Sequence, residues 1–571
     1  SARAVDQEQF LSVVSREEAI ALWTKALAPA PLGVETVALD QALGRVLGQS
    51  IAAPVDAPPF DRSVVDGFAA QAADLAGASA TRPVRLVLNA EIVAAGVAPR
   101  LAVAAGTATP IATGGPLPRG ADAVAMIERT EPDGDAILVS SPLAPGQNVA
   151  FAGSDIALGQ TLLRKGAQIG SREIGVLAAV GIAEIPVYRR PRVAVVSTGD
   201  ELAQPGAALK PAQVYDSNGP IVAAALAEDG CLVAERVALP DDEDVLRATL
   251  KRLHAENDVV ILSGGTSKGA GDLTYRLIGD LGAPGVVVHG VALKPGKPLC
   301  LAVCDGKPVV ALPGFPTSAM FTFHDIVAPA LRRMAGLPPR LETLVEATIP
   351  TRIPSELGRD EFVMVALGRA GEGLAAFPVG KGSGAVTAFS QADGFLRIPA
   401  LADALPAGSH ARVSLFAPNP RAPDLVIAGS HCVGLDAVAG KLADMGLNAR
   451  ILALGSQGGL QALKRGEADL APIHLLDPAS GRYNAPFLSP GMALIEGWRR
   501  LQGVVYRADD PRFVGLSAAQ IVAAALADGE TVMVNRNVGA GTRTLIDGLL
   551  GGARPKGYWN QPRSHNAVAA S

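Results

Sequence analysis

Short apolar runs broken by glycine-rich segments recur along most of the chain. Val193–Ser197 and Asp258–Leu262 are apolar on nearly every position, without the strict alternation of a half-exposed strand, and Cys231–Leu239 also reads as a strand. That pattern predicts buried strands covered on both faces. Between them, Gly219–Glu228 and Glu243–Ala255 carry helical periodicity, the second opened by Pro240-Asp241-Asp242. Strands alternating with helices of this length predict a parallel sheet with right-handed crossovers. Leu299–Cys304 adds an apolar strand, Leu312–Ser318 a strand running into a helix, and Ile326–Met334 a last helical run.

Other patterns flank this unit. Residues 8–30 read as a helix, with Ser15-Arg-Glu-Glu18 as a capping box. Residues 53–60 are too rich in proline for a helix interior, 82–146 read as short strands between Gly and Pro turns, and 171–185 as a short helix. Residues 341–416 read as a small β domain. Beyond Asn419–Pro423, a linker by composition, strands are expected at 424–430, 448–454, 467–472 and 531–535. Helices are expected at 433–445, from Gly455 to Lys464, and up to Leu550.

A length of 571 residues exceeds one core and calls for several domains. With 49% hydrophobic and 18% charged residues the chain is globular, and a net charge of −5 argues against a nucleic-acid footprint. No apolar run reaches the roughly 18 residues of a membrane span, and no export signal opens the chain. Cys231, Cys300, Cys304 and Cys432 form no CxxC pair and read as reduced thiols, which fits the cytoplasm.

Candidate chemistry gathers at the strand ends. Ser263–Asp272 holds four glycines in ten residues and runs into a helix, which suits backbone N–H groups facing a phosphate. Lys294-Pro-Gly-Lys297-Pro holds two lysines on a rigid turn, and Leu312-Pro-Gly-Phe-Pro-Thr-Ser318 is a third loop of this kind. Ligands of open α/β sheets bind at the carboxyl ends of strands. Thr198-Gly-Asp-Glu-Leu202 brings two carboxylates to another such end. Asp241 and Asp242 also suit a helix start.

The order SGGTSKGAGD, KPGKP, LPGFPTS resembles the molybdopterin molybdenumtransferases, and the resemblance covers roughly the first 415 residues. Asp61-Arg-Ser-Val-Val-Asp66-Gly-Phe68, Thr113-Gly-Gly-Pro, Asn148 to Asp155 and Gly382–Gly394 match further motifs. The resemblance implies catalytic roles for Asp66, Asp155, Glu201, Lys294 and Lys297. It implies substrate contacts at Thr113, Ser263, Gly264, Gly265, Ser267, Gly269, Pro313, Pro316 and Ser383. Asp216, Asp241 and Asp272 become candidates for holding Mg²⁺. The implied reaction joins molybdate to adenylylated molybdopterin and releases AMP, in a homodimer whose sites are completed across subunits. Tungstate in place of molybdate stays open. No arginine lies between Asn148 and Asp155, where the family often has one, so a sensor or scaffold without catalysis also stays open. Molybdopterin adenylylation is disfavoured by the lobe that carries Asp66 and Thr113.

The fold expected is α/β multidomain: an N-terminal region over 8–190 with a lid at about 55–146, a molybdopterin-binding α/β domain over 191–337, and a small β-barrel-like domain over 338–418. Residues 419–571 resemble a periplasmic-binding-protein-like α/β domain, which reads as truncated at its C-terminus. There Ser430, Ser456 and Thr542 each open a helix after a strand, with Arg536 and Arg543 near, which suits an anion.

Overall fold

The computed structural model describes residues 12–264, 270–370, 372–379, 386–417, 423–562 and 564–571. Its centre is a six-stranded sheet in the order 232–239, 192–198, 259–264, 307–312, 300–304, 284–289. The first four strands are parallel, as expected from strands alternating with helices. The reason is visible in the packing. Val193, Val195, Val259 and Ile261 face one core with helices Arg16–Leu27, Asn218–Glu228 and Ala328–Met334. Ala194, Val196, Val260 and Leu262 face the other, under helix Glu243–Glu256. Both faces are covered, so both sets of positions are apolar.

The remaining strands depart from an all-parallel sheet. Cys300–Cys304 runs antiparallel to Lys307–Leu312 and to Pro284–His289. Asp305 and Gly306, at φ 51° and 78°, make a tight hairpin between strands, the positive-φ pair that matches strand twist. All three cysteines of this unit, Cys231, Cys300 and Cys304, are buried free thiols.

The first helix is Arg16–Leu27, capped by Ser15, whose side chain accepts from Glu18 N. Helix Ser171–Ala179 ends earlier than the expected 185, because Gly181 takes φ 78° and Glu184–Tyr188 is claimed as a strand by Val34–Ala38. The lid is a six-stranded sheet in the order 123–126, 67–70, 107–111, 84–88, 136–139, 130–133. Every hydrogen bond and ion pair of described residues 55–146 closes within 53–160, so the lid is a separate body of contacts.

The small β domain closes on itself. Asp360–Ala370 pairs with Gly373–Pro378 and with Gly394–Ile398, the latter with His410–Leu415, that with Leu344–Thr348, and that back with Gly373–Pro378 through Thr348 and Ala375. The barrel takes Leu293–Lys294 as a short parallel neighbour of Asp360–Glu361.

In the C-terminal domain Leu425–Gly429 lies parallel to Ala449–Ala453, and Ile427 bridges Leu470. Helices Val433–Asp444, Gly455–Lys464 and Gly541–Leu550 form as expected. The expected strand over 467–472 is reduced to that single bridge. The expected strand over 531–535 does not form. Met533 N and Asn535 N instead bond Lys556 O and Asn560 O, so this segment pairs with a local loop rather than with the sheet. The domain rests on the barrel: Val426, Ala428 and Leu452 share a core with Ala366, Ala375 and Phe377. Arg450 crosses that boundary to Asp393 at 2.7 Å and to Gln391 O at 3.0 Å.

Candidate active site

The carboxyl ends of strands 192–198, 259–264 and 307–312 meet at Asn218. Its Nδ2 donates to Ser263 Oγ at 2.7 Å and to Gly314 O at 2.7 Å, so one amide ties two of the expected loops together. Its Oδ1 is buried without a partner among the described residues, as are Ser197 Oγ and Thr198 Oγ1. Two orphaned polar atoms at the end of strand 192–198 and one at the start of helix Asn218–Glu228 are the mark of a polar ligand's seat, since buried polar groups are otherwise paired. Asn218 was not among the expected site residues. The signal that could have found it was its place in Tyr215-Asp-Ser-Asn218, at a strand-to-helix turn.

Gly264 is required at its position. It has φ 99°, and a Cβ there would lie 2.4 Å from Thr198 O. Pro313 is buried, and Pro316 begins helix Pro316–Thr322. Gly265, Ser267, Gly269 and Ser383, together with the side chain of Asp272, lie outside the described residues.

Lys294 and Lys297 leave one turn whose Gly296 has φ 123° and packs on Thr322. Lys294 Nζ sits 3.1 Å from Glu356 and 3.5 Å from Glu361, both from the barrel domain. Lys297 is half-buried and makes no ion pair among the described residues. The turn therefore holds Lys294 on two carboxylates, while Lys297 has none among the described residues.

Carboxylates crowd the neighbouring strand ends. Asp241 N donates to Asp200 Oδ1 at 3.1 Å. Burial pushes the Asp241 carboxyl up, and the negative charges of Asp200 and Glu201 push it further. Asp216 is buried and accepts from Gly219 N at 2.9 Å, so one of its oxygens starts helix Asn218–Glu228. No group of three or more His, Cys, Asp or Glu side chains stands at metal-holding spacing among the described residues.

In the lid, Asp66 Oδ1 accepts from Thr113 N at 2.7 Å and from Thr113 Oγ1 at 2.9 Å. These two bonds, the backbone one first, hold the Asp66 carboxyl below the usual range although it is exposed. Gly67 lets it sit there: a Cβ at that residue would meet Ala125 O at 1.8 Å. Asn148, at φ 63°, donates to Val124 O at 2.8 Å and so shapes the loop. Asp155 is exposed. The structure thus brings Asp66 and Thr113 together, and separately Ser263, Gly264 and the Pro313 loop. No hydrogen bond or ion pair among the described residues joins the two groups.

An open α/β sheet with orphaned polar atoms, a lysine turn and carboxylates at its strand ends defines an anion-handling, phosphate-ligand class of site. Residues 14–181 match the MoeA N-terminal region (domain I and II), 194–333 the probable molybdopterin binding domain, and 346–416 the MoeA C-terminal region (domain IV). Residues 439–571 match the PBP superfamily domain. The chain is 38% identical to molybdopterin molybdenumtransferase 2 of Mycobacterium tuberculosis over 331 residues, 57% of this chain and 82% of that protein. It is 32% identical to a molybdopterin molybdenumtransferase of Staphylococcus aureus over 365 residues, 64% and 87% of the two chains. A molybdopterin biosynthesis MoeA protein from Pyrococcus horikoshii superposes with TM-score 0.62 at 40% identity, covering 71% of this chain and 99% of that one. The chain belongs to the molybdopterin molybdenumtransferase family, a family of transferases. No helix of the described residues is long and apolar enough to cross a membrane.

Proposed function

We propose that the chain inserts molybdate into adenylylated molybdopterin during molybdenum cofactor biosynthesis, releasing AMP. The observation that carries this reading is the Asn218 bridge, which aligns the Ser263 and Pro313 loops beside the lysine turn. Orphaned Ser197 Oγ, Thr198 Oγ1 and Asn218 Oδ1 suit the polar body of the substrate. Lys297 offers charge to a phosphate, and an anionic substrate competes with Glu356 and Glu361 for Lys294. Gly264 allows close backbone approach.

Bound Mg²⁺ supplies neutralisation of phosphate charge. The mutual repulsion of Asp200, Glu201 and Asp241 is the donor chemistry that suits such a cation. Asp216, Asp241 and Asp272 remain the residues proposed to hold it. Asp66 and Asp155, with Thr113, face solvent on the lid and make no hydrogen bond or ion pair to the α/β site among the described residues. A homodimer in which a partner supplies the lid fits that separation. A cytoplasmic enzyme fits the buried reduced thiols. The division at 8–190, 191–337, 338–418 and 419–571 stands as the proposed domain plan. A second reading, oxyanion binding without turnover, is favoured by one feature: between Asn148 and Asp155 an exposed Phe151 stands and no arginine does.

The test is incubation with adenylylated molybdopterin, Mg²⁺ and either molybdate or tungstate, followed by AMP release and active cofactor. Asn218→Leu should lower AMP release about 100-fold, the cost of a small misplacement of reacting groups. Absence of AMP release by the wild type with both oxyanions would leave the binding reading.

A further inference from the structure

The residues of the C-terminal domain expected to meet an anion are engaged within the domain. Arg543 Nη1 donates to Arg536 O at 2.8 Å, its Nε to Asp547 Oδ1 at 2.9 Å, and its guanidinium lies 4.5 Å from the Tyr558 ring centre. Ser430 is buried with its N–H on Pro472 O. Ser456 Oγ accepts from His474 N at 3.2 Å, and Thr542 Oγ1 lies 3.3 Å from His474 Nε2. What the domain offers the rest of the chain is its contact with the barrel, and that contact leads to the α/β site.

Arg450 makes the polar part of the contact. It stands on strand Ala449–Ala453. Its Nη1 donates to Gln391 O at 3.0 Å and its Nη2 to Asp393 Oδ1 at 2.7 Å. Both acceptors belong to the Gly382–Gly394 motif. Gln391 ends helix Val386–Gln391, where carbonyls lack helical partners and a cation is favoured. The other oxygen of Asp393 accepts from Leu367 N at 2.6 Å, on barrel strand Asp360–Ala370. Arg450 and Asp393 are both largely buried, so loss of the guanidinium strands a carboxylate away from water.

Helix Val386–Gln391 lies on helix Pro316–Thr322. Ala388 shares a buried core with Ala319, Met320 and Phe321, and Phe389 meets Phe321 edge-on with ring centres 5.9 Å apart. Phe416 stacks on Phe389 at 5.2 Å. Helix Pro316–Thr322 in turn touches the site at both ends. It begins just after Gly314, whose carbonyl accepts from Asn218 Nδ2 at 2.7 Å. At its other end Thr322 packs on the lysine turn, where a Cβ at Gly296 would lie 2.4 Å from Thr322 Cγ2. Contacts this close pass a shift on rather than absorb it.

We propose that Arg450 is a positioning residue for the α/β site. From the C-terminal domain it pins helix Val386–Gln391, and through that helix it sets helix Pro316–Thr322, which carries the Pro313 loop and backs the lysine turn. The C-terminal domain thereby contributes to substrate affinity without touching substrate. The identity of that substrate, adenylylated molybdopterin, rests on the transferase reading. Loss of the clamp loosens loops that hold the substrate before and during reaction alike, so it weakens binding and leaves the rate at saturation near that of the wild type.

Two measurements on the full chain test this. The first is calorimetric titration with adenylylated molybdopterin in the absence of any oxyanion. Arg450→Ala should weaken binding about threefold to tenfold, the size of coupling carried through packed neighbours. Arg450→Lys, which keeps the charge and one donor, should fall between the two. The second is amide hydrogen exchange. In Arg450→Ala the amides of 316–322 and 386–391 should exchange faster, while those of strand 259–264 keep their wild-type rates. Equal affinity in Arg450→Ala and wild type, unchanged exchange over 316–322, or exchange that rises equally in strand 259–264 overturns the proposal, as does absence of binding by the wild type. Weaker binding in Arg450→Ala with no AMP release by the wild type would sink the transferase reading and leave the coupling standing. AMP release by the wild type with equal binding in both proteins would do the reverse.

Discussion

The α/β unit and the C-terminal domain are written in the same local grammar and surrounded by different charges. Both place glycine-rich turns between a buried strand and a helix, and both need a glycine where the helix or loop meets the strand. A Cβ at Gly264 would strike Thr198 O at 2.4 Å, and one at Gly459 would strike Ala428 O at 2.3 Å. At the first set of strand ends stand Asp200, Glu201, Asp216 and Asp241 beside two lysines. In the C-terminal domain, burial and the charges of Arg500 and Arg536 instead hold His474 and His565 down to about 4. The turns place a ligand, while the charges around them select it. Carboxylates beside lysines suit an anion accompanied by a cation, whereas the C-terminal histidines are held neutral near pH 7.

The comparison breaks most strongly at those two glycines. Gly264→Ala forces a side chain into positive φ as well as into the Thr198 carbonyl, at a cost of about 3 kcal/mol or more. It should abolish AMP release and lower the unfolding temperature of the α/β unit. Gly459→Ala should cost about 2–4 kcal/mol by displacing helix Gly455–Lys464, yet leave AMP release close to wild type. Calorimetric scans of both variants decide it. A single transition shifted equally by either change would mean that the two regions unfold as one unit.

The lysine turn gives the next largest effect. Lys294→Ala and Lys297→Ala each remove a charge-assisted contact to an anionic substrate, worth about 1.5–3 kcal/mol in rate or affinity. Because Lys294 already faces Glu356 and Glu361, its removal also leaves two carboxylates unbalanced. Lys297→Ala should therefore act mainly on KM, whereas Lys294→Ala should also alter salt dependence. AMP release equal to wild type in the double variant would remove the turn from the site.

Much of this was legible because it is local. Strands alternating with helices led to the four parallel strands, and glycine and proline spacing to the turns at Gly296 and Pro313. What escaped depends on partners distant in sequence. Asp305-Gly306 is a tight hairpin signal, but the apolar run before it reads equally as a buried parallel strand. Asn218 matters because Ser263 and Gly314 come to it from 45 and 96 residues away. Arg500 lies in a stretch without regular structure, and only the fold shows that it faces Arg536 and His474. Arg543 is visible as a charge beside a helix start, but its partners Asp547 and Tyr558 turn it into a support. Thr531–Asn535 has strand composition, and its bonds to 556–560 decide otherwise.

The boundary between the two compared regions offers a smaller effect. Arg450 and Asp393 are both largely buried where the C-terminal domain rests on the barrel, and Asp393 also accepts from Leu367 N at 2.6 Å. Arg450→Ala leaves the carboxylate with fewer partners and should cost about 1–2 kcal/mol. Faster proteolytic separation of the two domains should follow, because the remaining contact is the apolar patch around Val426 and Phe377. An unchanged cleavage rate would assign the docking to that patch alone.

The smallest effect is expected in the lid, where a single hydroxyl tunes a carboxylate. Thr113 lowers the Asp66 pKa through its backbone N–H first and its Oγ1 second. Thr113→Val removes only the second bond, so the pKa should rise part of the way towards the ordinary aspartate value. The sign follows from linkage. A carboxyl whose folded pKa is depressed contributes above its unfolded pKa and loses that contribution as pH falls through the folded value. In the wild type the ionised form therefore persists to lower pH than in the variant. The acid limb of AMP release should move to higher pH in Thr113→Val, while the plateau near neutrality changes little, since Asp66 is ionised there in both proteins. Asp66→Asn should remove that limb altogether and lower the plateau. An acid limb at the same pH in Thr113→Val and wild type would mean that another group controls it, and would place Asp66 outside the titrating machinery of the site.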